Sequence, residues 1–277
     1  MCRIPPKSRT RARINAFTLV EILVVIGIVA LLLGILVPTV SKARESSRTT
    51  ACLSNLRQLT AAAYNYAADH NNYIIPVGNS AAGGSSYWWC NILVDGKYIP
   101  APSDPGAGPQ MGGVFFCPSG YQDEPPTISI LPTSRADETG AMRLRRLSTV
   151  SGISVDVWYG INGEDPLTTN PMTRGTPCRR LQHAVDRMTP MSVVKQPAEM
   201  VLFFDGILYN QTVINANRVN ARHGHKTQTN IGFFDGHAET FQTQDLPGGM
   251  NATPADFSLI SLQAKYPRPL WLLEQQY

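Results

Sequence analysis

F-T-L-V-E-I-L-V-V-I-G-I-V-A-L-L-L-G-I-L-V-P-T-V, Phe17 to Val40, holds 24 residues and a single charge, Glu21. A helix rises 1.5 Å per residue, so about 20 apolar residues cross a bilayer and this stretch is long enough to do so. The sixteen residues ahead of it carry five cations, Arg3, Lys7, Arg9, Arg11 and Arg13, and no acid. That asymmetry predicts a cytoplasmic N-terminus with the rest of the chain passed outward. Glu21 is the anomaly. A lone carboxylate in hydrocarbon is costly and marks a function and a partner.

Beyond Pro38 the helical pattern continues. Ser41 to Thr50 is polar and cationic (Lys42, Arg44, Arg48), as expected where a helix leaves a membrane. Cys52, Leu56, Leu59, Ala63 and Tyr66 then recur at spacings of four and three, one stripe of a 3.6-residue period. Asn71-Asn72 and Pro76 end the pattern. The expectation is a helix from Phe17 to about His70, roughly 80 Å long, whose first half is apolar enough for lipid. Its second half carries an outer domain on the apolar stripe.

The formal charge of the 277 residues is +4, which on its own suggests an acidic partner. Apart from the sixteen residues ahead of the apolar run the balance is 19 cations against 20 acids, so the basicity belongs to topology and nucleic acid is not an expected ligand. Gly and Pro make 43 of the residues and predict a loop-rich outer domain. Cys52, Cys90, Cys117 and Cys178 lie beyond the apolar run. In an oxidising compartment they allow two bridges in three connectivities, and at least one disulfide is expected. None sits in a CxxC pair, so a zinc ribbon is not indicated.

Strand signals follow. Val114 to Cys117 reads as a short strand stopped by Pro118. Ser154 to Tyr159 alternates, with Gly160 to Gly163 as its turn. Met200 to Phe204 has the character of a buried strand, and Asn230 to Phe234 and His237 to Phe241 flank the hairpin signal Asp235-Gly236. F-F-D-G occurs at Phe203 to Gly206 and again at Phe233 to Gly236, two similar strand ends in one sheet. Tyr87 to Val94 reads as core, Gly78 to Ser86 as a surface loop, and Ala101 to Gly113 and Pro166 to Pro177 as irregular. Glu124 to Arg146 reads as an exposed insertion, and Leu270 to Leu273 as a segment that packs back on the domain. The fold class expected is α+β: a long N-terminal helix on an antiparallel sheet.

The ligand-type residues cluster at His223-Gly-His225 and Asp235-Gly-His237. Residues two apart share a face in an extended segment, and three imidazoles with a carboxylate suit zinc or a similar divalent ion. Against this, the turn alone explains Asp-Gly, and loop histidines are common on surfaces. No cofactor is otherwise expected. No serine or cysteine nucleophile has a local activating context, and no phosphate-cradling glycine loop appears.

Ala16 followed by F-T-L-V-E and the apolar run resembles the N-terminus of type IV pilins and type II secretion pseudopilins. The resemblance implies cleavage by a prepilin peptidase between Ala16 and Phe17, N-methylation of Phe17, and Glu21 as the fifth mature residue. Pro38 becomes the twenty-second, where many pilins carry a proline, and Ala16 replaces the usual Gly. His225, nine residues and Asp235-Gly236 are similar to the H-X9-DG signature of a large DUF1559-like group of pilin-like proteins. Arg48 to Leu59, Cys117-Pro118-Ser119, Tyr159-Gly160-Ile161-Asn162 and Asp205-Gly206 also resemble that group. The organisation implied is a basic leader (1–16), a membrane and assembly helix (17–40), its distal half (41–70) and an extracytoplasmic head (71–277). The function implied is a non-enzymatic subunit of a pilus-like or secretion-like filament, single-pass in the inner membrane with a cytoplasmic N-terminus. Its partners would be the prepilin peptidase/methyltransferase and other pilin-like subunits. The rivals are a membrane-anchored metal-dependent hydrolase using His223, His225, Asp235 and His237, and a monomeric cell-surface binding module. An ordinary secretory signal cut after Ser41-Lys42-Ala43 is disfavoured by the length and charge of the apolar region.

Overall fold

The computed structural model describes residues 18–79, 87–100, 113–120, 157–163, 176–181, 188–206, 222–224, 227–246, 268–271 and 273. Helix α1 runs from Leu19 to Asp69, 51 residues, close to the length read from the sequence. It begins in a capping box. Glu21 Oε2 accepts from Thr18 N and Thr18 Oγ1, both at 2.8 Å, and Glu21 N donates back to Thr18 Oγ1 at 3.2 Å. The T-x-x-E spacing thus satisfies amides that the first turn would otherwise leave open. Pro38 lies inside α1 without ending it. The chain divides into two compact units between Arg44 and Glu45. In the first, every large apolar side chain from Leu19 to Val37 is exposed. Among the described residues, α1 is the one helix long and apolar enough to cross a membrane, which fits a single-pass anchor.

The second unit is the head. Its main sheet joins β3 (Tyr159–Ile161), β5 (Val201–Asp205), β6 (Gln228–Phe233) and β7 (Ala238–Gln242) in the order β3-β5-β6-β7, all antiparallel. A smaller mixed sheet joins β1 (Gly78–Asn79), β2 (Tyr87–Trp88) and β4 (Arg180–Leu181). A short helix α2 (Trp89–Asp95) follows β2 and buries Trp89, Cys90, Leu93 and Val94. The distal half of α1 lies across β6. A Cβ on Gly232 would stand 3.3 Å from Leu56 Cβ, Asn230 Nδ2 donates to Thr49 O at 3.5 Å, and Tyr64 donates its hydroxyl to Phe234 O. The predicted stripe is the buried face. Cys52, Leu56, Leu59, Ala63 and Tyr66 join one core with Trp89, Phe203 and Trp158.

The α+β class, the buried strand at β5 and the β6–β7 hairpin are as read from the pattern. The hairpin turn, Phe233 to Gly236, is closed by Gly236 N donating to Phe233 O at 3.1 Å, and Gly236 takes φ +96°, a conformation that glycine adopts without strain. Leu270 and Trp271 do pack onto the head and are buried. Two readings are corrected. Gly160 is not in a turn but in β3, because the ring of Phe204 occupies the place where a Cβ would sit, 2.5 Å from Phe204 Cζ. Val114 to Cys117 forms no strand. Turns at Gly113–Phe116 and Cys117–Gly120 take up its backbone, and among the described residues one backbone–backbone hydrogen bond, Trp158 N to Phe115 O at 2.9 Å, joins it to the segment before β3. The leader and its junction at Ala16–Phe17, Gly78 to Ser86 beyond Asn79, Ala101 to 112, Glu124 to Arg146 and Pro166 to 175 lie outside the described residues.

Gly163 gives a direct test of this packing. A Cβ there would meet Val77 Cγ2 at 1.9 Å and the carbonyl of Cys178 at 2.7 Å, where β3 leads into the small sheet. Gly163→Ala is expected to lower head stability by about 1–3 kcal/mol, read as a shifted urea midpoint of the full-length protein. An unchanged midpoint would mean that the two sheets do not close on each other here.

Candidate functional site

Four side chains from distant parts of the chain meet beneath α1. Cys52 comes from its distal half, Cys117 from the loop before β3, Asp205 from the end of β5 and His223 from the bridge that precedes β6. One ligand-type atom of each lies within 4.8 Å of all the others, and all four residues have 0% exposure. The helix stripe delivers Cys52. β5 delivers Asp205 to a buried place because both faces of the strand are covered, so all five of its residues are buried.

The hydrogen bonds fix how the histidine stands. Thr49 Oγ1 donates to Glu45 O at 3.0 Å, which commits its one proton, so it accepts from His223 Nδ1 at 3.2 Å. Nε2 then points to the other side, 3.1 Å from Asp205 Oδ2 and 3.6 Å from Cys117 Sγ. Asn230 N donates to the same Asp205 Oδ2 at 2.8 Å, while Asp205 Oδ1 is buried with no hydrogen-bond partner. Glu45 Oε1, also buried and unpartnered, stands 3.8 Å from His223 Nδ1. Arg222 is held beside the cluster by donating to Trp158 O, and to Gly206 O at 3.1 Å. Asn55 Nδ2 donates to Phe116 O at 2.7 Å and to Tyr159 Oη at 3.1 Å, tying the Cys117 loop to α1.

The electrostatics follow from this crowding. Burial opposes a charge on His223, but the carboxylate of Asp205 and the sulfur of Cys117 outweigh it and raise the ring to about 10. For Cys117, burial pushes the thiol up. The hydrogen bonds from Cys52 and His223 and the charge of Arg222 overcome that push and bring it down to about 6, while Asp205 opposes them. Cys52 is driven far up by burial and by its neighbour Cys117. Burial, with the charges of Cys117, Cys52 and Asp205, also raises Tyr159.

A thiol, an imidazole and a carboxylate invite comparison with a nucleophilic triad, but the geometry is different. In a triad the nucleophile and the carboxylate bond opposite ring nitrogens. Here Cys117 and Asp205 converge on the same nitrogen, Nε2, in a place without solvent contact. Such convergence is suited to holding a cation.

The residues singled out in the sequence are distributed otherwise than expected. His223 enters the buried cluster. Asp235 and His237 pair with each other on the surface, Asp235 Oδ1 accepting from His237 N at 3.0 Å, with the His237 ring stacked on Phe233. The six residues of β6 separate the two places by roughly 17 Å at the usual strand rise, so the structure does not bring His223 together with Asp235 and His237. His225, the histidine of the H-X9-DG spacing, lies outside the described residues. The expected disulfide is not formed: Cys52, Cys90, Cys117 and Cys178 are free and buried.

Residues 41–94 match a family described as a protein of unknown function (DUF1559). The segment contains Glu45, Thr49, Cys52 and Asn55, the α1 side of the cluster. No curated protein and no solved structure matches the chain. The cluster escaped local reading because no two of its members share a short spacing. One signal pointed to it. Arg48 to Leu59, within the matched segment, and Cys117-Pro118-Ser119, Tyr159 to Asn162 and Asp205-Gly206, likened to the same group in the sequence analysis, all border the cluster.

Proposed function

We propose that the chain is a non-enzymatic, pilin-like structural subunit. A prepilin peptidase cuts it before Phe17 and methylates the new amine, and the product assembles into a type IV pilus-like or type II secretion-like filament. The observation that carries this reading is the divided character of α1. Its first part presents apolar side chains on every face around one carboxylate, Glu21, while its distal part is buried in the head. A surface that is apolar all round needs lipid or other helices about it. The match of residues 41–94 to DUF1559 supports the same reading. The basic leader orients the chain with its N-terminus in the cytoplasm and the head outside the inner membrane. During assembly the ammonium of one Phe17 meets Glu21 of a neighbour, which pairs two charges in an apolar bundle.

Mass spectrometry of the mature protein tests the processing step. The expected product begins with N-methyl-Phe17. An intact Met1, or an N-terminus at Arg44 after conventional signal cleavage, overturns the pilin-like reading.

A further inference from the structure

We propose that Cys52, Cys117, Asp205 and His223 form a closed four-coordinate site for a zinc-class divalent ion, which clips the distal half of α1 to the head. Two sulfurs, one imidazole nitrogen and one carboxylate oxygen are the donor set of a tetrahedral zinc site. The spacing fits. With zinc bonds of about 2.3 Å to sulfur and about 2.0 Å to nitrogen and oxygen, a tetrahedron has edges of roughly 3.5 Å (S to N) and roughly 3.3 Å (N to O). The corresponding separations are 3.6 Å from Cys117 Sγ to His223 Nε2 and 3.1 Å from His223 Nε2 to Asp205 Oδ2.

Two further observations point to a cation. Thr49 accepts from His223 Nδ1, which fixes the ring so that Nε2 is the nitrogen turned toward the Asp205 carboxylate and the Cys117 sulfur. The Thr49 bond is the outer-shell contact that metal-bound imidazoles usually carry. The second is the Asp205 carboxylate: the residue is at 0% exposure, Oδ2 faces the cluster, and Oδ1 has no hydrogen-bond partner, so the buried group is under-satisfied. A buried charge that is short of partners is costly, and coordination through Oδ2 adds one. On binding, Cys52 releases one proton and the Cys117–His223 pair a second, both to solvent, which leaves two thiolates and a neutral imidazole as ligands. Arg222, anchored beside the cluster, offsets the net negative charge of two thiolates and a carboxylate around one divalent ion. Full burial leaves no open coordination position, so the site is structural. It joins four segments that are far apart in sequence, where a cross-link constrains the unfolded chain most.

The test uses the full-length protein in detergent, reduced, stripped with chelator and reloaded with zinc or cobalt. About one ion per chain is expected, and the cobalt form should show thiolate-to-metal charge-transfer absorption with the intense visible bands of tetrahedral geometry. Cys117→Ser should lose both signals, whereas the surface variant His237→Ala should keep them. Should Cys117→Ser fail to fold, the cobalt spectrum of the unaltered chain decides. No uptake, uptake without thiolate bands, or loss of the ion in His237→Ala overturns the proposal. So does a native mass two daltons low with Cys52 and Cys117 joined, since that chain holds a disulfide instead.

Discussion

Glu21→Gln is expected to leave the N-terminal helix inserted and capped, yet to lower incorporation into filaments by roughly tenfold or more. The choice of Gln rests on the local geometry. Glu21 closes a capping box with Thr18, and an amide closes such a box nearly as well as a carboxylate. What the amide cannot do is neutralise the ammonium of a neighbouring Phe17. If the carboxylate is there for charge, Gln and Ala fail alike at assembly while both still insert. If it is there only to cap the helix, Gln assembles normally and Ala alone is weakened. Cross-linking in membranes, followed by quantifying the subunit in sheared filament fractions, separates the two. Normal assembly of Glu21→Gln would falsify the pairing mechanism, and a cross-linking pattern without higher species even in the unaltered protein would favour a monomeric surface module.

The second large effect compares two aspartates in the same tetrapeptide. Asp205→Ala should cost about 3–5 kcal/mol, because it leaves the buried His223 without its carboxylate and Asn230 N without an acceptor. Asp235→Ala, at the other F-F-D-G, should cost about 1 kcal/mol or less, since it removes only a partly exposed contact to His237. A typical domain has about 5–15 kcal/mol in total, so the first change brings the head close to unfolding and the second barely moves it. Urea denaturation of the two full-length variants reads the difference directly. Similar midpoints would mean that the cluster beneath α1 contributes nothing to the stability of the head.

The two aspartates also show how far local pattern reaches. Both read as strand ends; Asp205 is the last residue of β5, whereas Asp235 lies in the turn just past the end of β6. Their opposite fates depend on neighbours that no window of sequence contains. Asp205 is covered by α1 and faces a histidine, whereas Asp235 lies at the open end of a hairpin. Gly160 teaches the same lesson. In sequence it reads as a turn residue, and only the ring of Phe204 on the adjoining strand explains it as a strand residue.

The sequence by itself determined whatever repeats along the chain. This includes the length of α1, its change from apolar on every face to one apolar stripe, the strand at β5 and the hairpin at Asp235-Gly236. These follow from periodicity and turn chemistry, which act between residues a few positions apart. The tertiary structure decided which histidine went inside, left Asp235 and His237 on the surface, and set two thiols, a carboxylate and His223 around one point. Those four residues belong to a helix, a loop, a strand end and a bridge. Their meeting is fixed only when α1 packs across β6, because only burial in a shared core brings distant side chains to a few ångströms.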